Sequence, residues 1–117
     1  AVSEYLDAVQ ARIARSTTGP WETRINDLTD DVTVVHDSEA VLQVAWIDGD
    51  YRHTWAMPDA EFIANARVDV PRLLAAVRAV EEAMDDLDDA RAQGLVLTYG
   101  AIQYRVRRTL ADALEGE

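Results

Sequence analysis

Cysteine is absent from this 117-residue sequence, and so is lysine. Without cysteine the chain cannot form disulfides, a thiolate nucleophile or a cysteine-ligated zinc site, so a reducing compartment is expected. The N-terminus lacks the charged-then-apolar layout of a signal peptide, and no apolar run approaches the roughly 20 residues that cross a bilayer. We therefore expect a cytoplasmic protein that makes no membrane contact.

Positive charge is scarce. Eleven arginines stand against 22 acidic residues, which gives a net charge of −11. This balance opposes approach to nucleic-acid phosphates or anionic lipids, because no basic stripe offsets the repulsion. Direct nucleic-acid binding is not expected, whereas a basic host protein is a candidate partner.

Motifs for catalysis and for cofactor binding are also missing. The five glycines are scattered and build no phosphate-binding loop, and the hydroxyl residues lack a nucleophile-elbow pattern. His36 and His53 with nearby acids could form a metal site, but two histidines without ligand spacing make an incomplete set. The sequence therefore assigns no catalytic, cofactor-binding or metal-binding residue and implies no cofactor. A small metal-dependent enzyme using His36 and His53 is the weakest of the functional hypotheses.

The N-terminal part predicts a helix followed by a sheet. Apolar residues at helical spacing predict a helix from Ser3 to about Arg15, with Ser3 as its cap and Gly19-Pro20 after its end. Runs rich in β-branched and aromatic residues predict antiparallel strands at 32–36, 40–47 and 51–57. The turns between them are expected at 37–39 and at Asp48-Gly49, a dipeptide typical of tight hairpins.

Two helices are predicted beyond the sheet. Pro58 and Asp59 open a short one whose buried face includes Phe62 and Ile63. Asp69 with Pro71 begins a longer one to about Arg91, which carries a two-heptad apolar seam formed by Leu73, Val77, Val80, Met84 and Leu87. This seam is the predicted oligomer interface.

A last helix is predicted after Gly94 and would close a helical hairpin. Periodicity as far as Leu114 favours helix, although alternation between 102 and 107 keeps a strand open for 95–107. Such a hairpin would bring Arg105 and Arg108 alongside 80–86. The predicted fold is α+β: a helix, a three-stranded antiparallel sheet, a short helix and a C-terminal helical hairpin or coiled-coil segment. It forms one domain over 1–117, with parts 1–68 and 69–117.

The sequence also predicts where the large aromatic residues and a cluster of acidic residues lie. Trp21, Trp46 and Trp55, together with Phe62, are expected to fill the space between sheet and helices. Six acidic residues lie between and after the last seam residues, and they form an acidic cluster: Glu81, Glu82, Asp85, Asp86, Asp88 and Asp89. A solvated helix face explains these acids best, because calcium loops need interleaved ligands and a turn glycine. Cation binding and mimicry of nucleic-acid phosphates, which would present a surface to a basic partner, are the two sharper alternatives.

Two segments resemble a known family. Residues 11–22 contain Thr17-Thr18-Gly19-Pro20-Trp21, and residues 59–67 read Asp-Ala-Glu-Phe-Ile-Ala-Asn-Ala-Arg before Val70-Pro71-Arg72-Leu73-Leu74. Both resemble the Ead/Ea22-like family of small phage and prophage proteins, over about half of the chain. The resemblance implies an accessory protein of actinobacterial phages or their hosts, and it carries no catalytic residues.

The sequence therefore favours a non-enzymatic phage or prophage accessory protein that self-associates as an interaction module, with the homo-oligomer formed through the seam. An acidic mimic of nucleic acid, which inhibits a host nucleic-acid-binding protein, is the second hypothesis.

Overall fold

The computed structural model describes residues 2–26, 28–36, 42–50, 52 and 55–115. The elements follow the order α1 (Val2–Arg15), β1 (Trp21–Ile25), β2 (Asp31–His36), β3 (Leu42–Asp50), α2 (Ala56–Ala92) and α3 (Tyr99–Glu115). The predicted α+β class is confirmed. The chain divides into two compact units, one comprising Arg12–Val70 and the other Ala1–Ala11 with Pro71–Glu117.

The helix α1 has the predicted extent, but its cap is not the predicted one. Ser3 lies inside the first turn, because the helix begins at Val2. At the other end, the Ser16 hydroxyl donates to the Ile13 carbonyl at 2.7 Å and so satisfies a terminal acceptor. The polar run after Arg15 ends the helix as expected.

The sheet is antiparallel, with the order β1-β2-β3. The strand predicted at 51–57 is wrong in its described part, because Trp55 lies in a turn and α2 begins at Ala56. Strand β1, by contrast, was not predicted from the sequence. Its signal was the alternation of half-buried Trp21 and Thr23 with exposed charged residues.

Asp48 and Gly49 do not form the predicted turn but lie within β3. Asp31 pairs with Asp50 and the next residue, Val32, pairs with Ile47, so 48 and 49 are extra residues on the β3 side. Extra residues on one strand of an antiparallel pair form a bulge in the ladder. The turn predicted at 37–39 lies outside the described residues.

The core of the unit 12–70 lies between the sheet and the first half of α2. Val32 and Val34 are fully buried, and helix α2 presents alanines every fourth residue to them: Ala56, Ala60 and Ala64. Ile63 and half-buried Trp21 pack against this cluster, as expected. Small side chains at four-residue spacing allow the helix to lie close to the sheet.

Two aromatic residues predicted for this core are not in it. The Phe62 side chain is 77% exposed, because Phe62 lies midway between Ala60 and Ala64 and therefore on the opposite side of the helix. Trp55 is 50% exposed in the turn before the helix. The side chain of Trp46 lies outside the described part of the chain.

A single helix, α2, replaces the two helices predicted at 59–67 and 69–91. Pro71 lies inside it. Proline removes one helical hydrogen bond, the one to the carbonyl of Arg67, and its ring crowds that carbonyl. Helix α2 nevertheless continues through Pro71, so the break predicted there is wrong.

The end of α2 agrees with the sequence, whereas α3 begins only at Tyr99, so Leu95 lies outside the helix predicted after Gly94. Gly94 has a φ of 88°, and its amide donates to the Arg91 carbonyl while the Leu95 amide donates to the Ala90 carbonyl. This pair of bonds is the Schellman arrangement that ends a helix. Residues 99–107 are helical, so the strand alternative is wrong.

Candidate interaction surface

The predicted seam of α2 is divided between two environments. Val80 and Leu87 are half-buried within the chain. The other three seam residues are exposed, by 57% at Leu73, 43% at Val77 and 44% at Met84. These three residues are called the apolar stripe below.

Helix α3 accounts for the covered side of the seam. Ala76 and Ala83 are buried, and Val80, Leu87 and Ala90 are half-buried. These five residues alternate by four and three and therefore share one face. Asp86 borders that face and accepts from Arg105 Nη2 of α3 at 2.9 Å, which is the pairing expected from the helical hairpin.

Helix α1 lies beside another side of the same segment. Asp7 Oδ1 accepts from Arg78 Nη2 at 2.9 Å. Leu74, four residues before Arg78 on the same face, is buried, and so is Leu6 beside Asp7. Two neighbours thus cover two sides of α2 between Pro71 and Ala92.

The apolar stripe lies on a third side of that segment. Val77 follows Leu73 by four residues and Met84 follows Val77 by seven, so the three side chains form one row along the helix. The helical phase sets this row about 60–100° from Ala76 and Leu74, the centres of the two covered sides. A contiguous exposed apolar surface can serve as a protein–protein contact, so this row is the candidate surface.

The acidic cluster borders one edge of the stripe and extends from there round the helix, away from the stripe. Glu82, Asp85, Asp86, Asp88 and Asp89 are exposed and Glu81 is half-buried. Among the described residues only Asp86 of the six forms an ion pair. Glu81 and Asp88 follow Val77 and Met84 by four residues and therefore border the stripe.

Arg108 was predicted to lie alongside the acidic cluster, but it pairs within its own helix instead. Its guanidinium bonds Asp112 in the next turn of α3, at 3.2 Å to Oδ1, and the Tyr104 hydroxyl at 3.4 Å. The Asp112 carboxylate, followed by the hydrogen bonds to Asp112 and Tyr104, raises the pKa of Arg108 above its ordinary value. Arg108 therefore remains a cation held within its own helix.

The two motifs of the family resemblance meet in the unit 12–70. The Thr17 carbonyl accepts from Trp21 Nε1 at 3.1 Å and from Arg67 Nε at 3.0 Å. A Cβ added at Gly19 would lie 2.8 Å from Arg67 Cγ. Thr17, Gly19 and Trp21 belong to the first motif and Arg67 ends the second, so both motifs serve the same packing contact.

The histidines predicted as the weakest metal candidates are not brought together in the described part of the chain. His36 is half-buried at the end of β2, opposite Trp21 in the register, and its Nδ1 has no hydrogen-bond partner there. His53 lies outside the described residues. Among those described, no three histidine or acidic side chains are grouped so that they could hold a metal ion.

None of the helices, over their described residues, is both long and apolar enough to cross a membrane. Comparison of the chain with family models, with curated proteins and with solved structures finds no match.

Proposed function

We propose that this chain is a non-enzymatic interaction module that self-associates through the apolar stripe of α2. The observation that carries the proposal is the exposure of Leu73, Val77 and Met84 in one row. The other large apolar residues of the same part of α2, 71–92, are buried or half-buried: Leu74, Val80 and Leu87. A second copy offers the same row, and a self-complementary surface is what a two-fold dimer requires. The two motif segments favour a phage or prophage accessory role for the module.

Association through the stripe would remove apolar surface from water. Each of the three side chains keeps about half of its surface in water, and burial of apolar surface contributes about 25 cal/mol per Å². Val80 and Leu87 border the row and extend the surface that a partner would cover. The neighbouring helices leave the row accessible, so association would need no unfolding of α1 or α3.

A charge placed in the stripe tests the proposal. We expect Val77→Glu to raise the dissociation constant of the self-associated form at least 100-fold, because a carboxylate buried in an apolar contact costs several kcal/mol. The same change leaves the single copy folded, since Val77 is already 43% exposed there. Light scattering or sedimentation equilibrium at micromolar concentration gives the mass, and circular dichroism reports the fold.

Ala75→Glu is the matched control. It adds the same charge to the same helix, at an exposed position about 160° away from Val77, and should leave the association unchanged. A wild-type mass of 13.0 kDa at these concentrations would contradict the proposal. Equal effects of the two variants would place the contact elsewhere.

The acidic decoy is the second candidate function. It is favoured by the exposed carboxylates of Glu82, Asp85 and Asp89, which have no ion-pair partner among the described residues and lie on the side of α2 away from the stripe. A basic groove would recognise them as it recognises phosphates. Asp85→Asn with Asp89→Asn should then abolish capture of a basic host protein without changing self-association.

A further inference from the structure

One side of α3 carries an open cavity of about 390 Å³. It is lined by residues from consecutive turns of the helix: Gly100, Gln103, Tyr104, Arg107 and Arg108. Gly100 contributes open space because it has no side chain, and a Cβ added there would meet no atom within 4 Å. Small-molecule sites have volumes of about 300–1,000 Å³, so this cavity has room for a small ligand.

The side chains that line this cavity are polar, and none of them is a carboxylate. Two are arginines, and Gln103 and Tyr104 add an amide and a hydroxyl that can donate hydrogen bonds. Residues 90–111 contain four arginines and no acid, although the whole chain has a net charge of −11. Arg107 is exposed and pairs with no acid among the described residues. Its charge and the surrounding donors favour an anionic ligand.

Arg107 and Arg108 can act together on one anion. They leave the helix about 100° apart, with Gly100 and Tyr104 between them in the helical phase. Arg108 is held in place, because its Nε donates to Asp112 Oδ1 at 3.2 Å and its Nη1 donates to the Tyr104 hydroxyl at 3.4 Å. The other N–H groups of its guanidinium are left for a ligand, and the Tyr104 hydroxyl keeps its own hydrogen as a donor. A side chain that is already ordered loses little further freedom when a ligand binds.

A phosphate group attached to a planar organic part fits these features best. The phosphate oxygens accept from several donors at once, and arginine is the side chain best suited to them. A phosphate alone would fill only part of the cavity, and the ring of Tyr104, a residue 67% exposed, offers a face on which a planar group can stack. A long polyanion fits less well, because the rest of it would lie over a molecule with a net charge of −11.

We infer that the cavity on α3 binds a small phosphate monoester with a planar organic part, of the class of a nucleoside monophosphate. The phosphate lies between Arg107 and Arg108, and the planar part stacks on Tyr104. None of the lining residues belongs to the apolar stripe. The inference therefore stands or falls independently of the proposed self-association.

Titration with adenosine monophosphate in a phosphate-free buffer tests the inference. Calorimetry gives the Kd, and changes in amide chemical shifts locate the site. We expect this probe to bind and to shift the amides of 100–108, whereas adenosine and inorganic phosphate bind at least about tenfold more weakly, because each lacks one of the two contacts. Arg107→Gln should raise the Kd for the probe at least about tenfold through loss of a charged hydrogen bond. Gly100→Leu should raise it similarly, since the new side chain fills the open space.

Arg72→Gln is the matched control, because it removes the same charge from an exposed arginine outside the cavity. Arg105 of α3 pairs with Asp86, and Arg72 lies about 21 Å before Asp86 along α2, well beyond the Debye length of about 8 Å. The control should therefore leave the Kd within about twofold.

Equal losses in the Arg107 and Arg72 variants would show a general attraction to anions and would overturn the site. No binding of adenosine monophosphate at millimolar concentration, or shifts confined to residues outside 100–108, would overturn it as well. Inorganic phosphate or adenosine that binds as tightly as the probe would overturn the assignment of the ligand. Circular dichroism of each variant verifies that the fold is unaltered.

Discussion

The Thr17 carbonyl shows how single residues fix the corner between α1 and β1. One oxygen accepts from both the Trp21 indole and the Arg67 guanidinium, at 3.1 and 3.0 Å. Arg67 can reach it only because Gly19 has no side chain at the point where its Cγ passes. The motif glycine is thus explained by a close approach of another side chain.

Gly19→Ala should lower the free energy of unfolding by about 1–3 kcal/mol. The new methyl group displaces Arg67 Cγ and breaks its charged hydrogen bond to Thr17, and a bond of this type is worth about that much. The measurement is a denaturant melt of both proteins.

Arg67→Ala provides the control through a double-mutant cycle. Once the arginine is removed, Gly19→Ala should cost at most about 0.5 kcal/mol, because nothing remains to be displaced. Additive losses in the double variant would show that the cost at Gly19 does not come from Arg67.

At the level of the element, the sequence could predict how helices end better than whether they break. Gly94 adopts a left-handed φ at the end of α2. Glycine adopts this conformation without steric cost, so the residue type by itself indicates where the helix ends. Pro71 is equally local, yet its effect depends on whether the helix on both sides is stable enough to tolerate it. That depends on tertiary packing, which the residue does not reveal.

Two glycines in the helical hairpin give opposite predictions for the same substitution. Gly94→Ala should destabilise by about 1–2 kcal/mol, because alanine is strained at a φ of 88°. Gly100→Ala, in the first turn of α3, should stabilise by up to about 1 kcal/mol through better helix propensity. A Cβ at either position meets no atom within 4 Å. The two changes in stability therefore reflect backbone conformation and not side-chain packing.

Thermal melts of the two variants measure the difference in sign. A loss of stability in both would indicate that α3 starts later than Tyr99. Unchanged stability of Gly94→Ala would mean that the end of α2 can adjust without the left-handed residue.

The wrong predictions for β1 and for Phe62 each have an identifiable physical reason. Strand β1 has only five residues, Trp21–Ile25. Its alternation of Trp21, Thr23 and Ile25 is a weaker strand signal than the longer β-branched runs that follow. Phe62 seemed a core residue by hydrophobicity, but three alanines occupy the side of α2 that faces the sheet. Hydrophobicity alone favours the larger residue, whereas close helix–sheet packing here selects the smaller ones.

At the level of the whole molecule, four-three spacing predicted the candidate surface only in part. The pattern predicted an apolar side of α2, but it could not tell which of its residues the chain itself covers. That division depends on where α1 and α3 lie, as the pairs Asp7–Arg78 and Asp86–Arg105 show. Which three residues remain exposed can therefore be identified only when the positions of α1 and α3 are known.

Net charge distinguishes the two proposed functions through their opposite response to salt. Every copy carries −11, so copies repel one another before they meet. Raising the ionic strength from 0.01 to 1 M shortens the Debye length from about 30 to about 3 Å. We therefore expect self-association to tighten by about tenfold over this range, because the apolar contact is unaffected by screening and exposed arginine–acid pairs contribute under about 1 kcal/mol each.

Binding of the acidic side to a basic protein should instead weaken steeply over the same range, since attraction between opposite charges is what holds that complex. Asp85→Asn with Asp89→Asn changes the net charge from −11 to −9 and removes two carboxylates away from the stripe. In this variant self-association at low salt should be slightly tighter than in the wild type, while capture of the basic protein is lost. Sedimentation equilibrium across the salt series measures the first quantity and a pull-down measures the second. Self-association that weakens as salt rises would mean that ion pairs, and not the apolar stripe, hold the copies together.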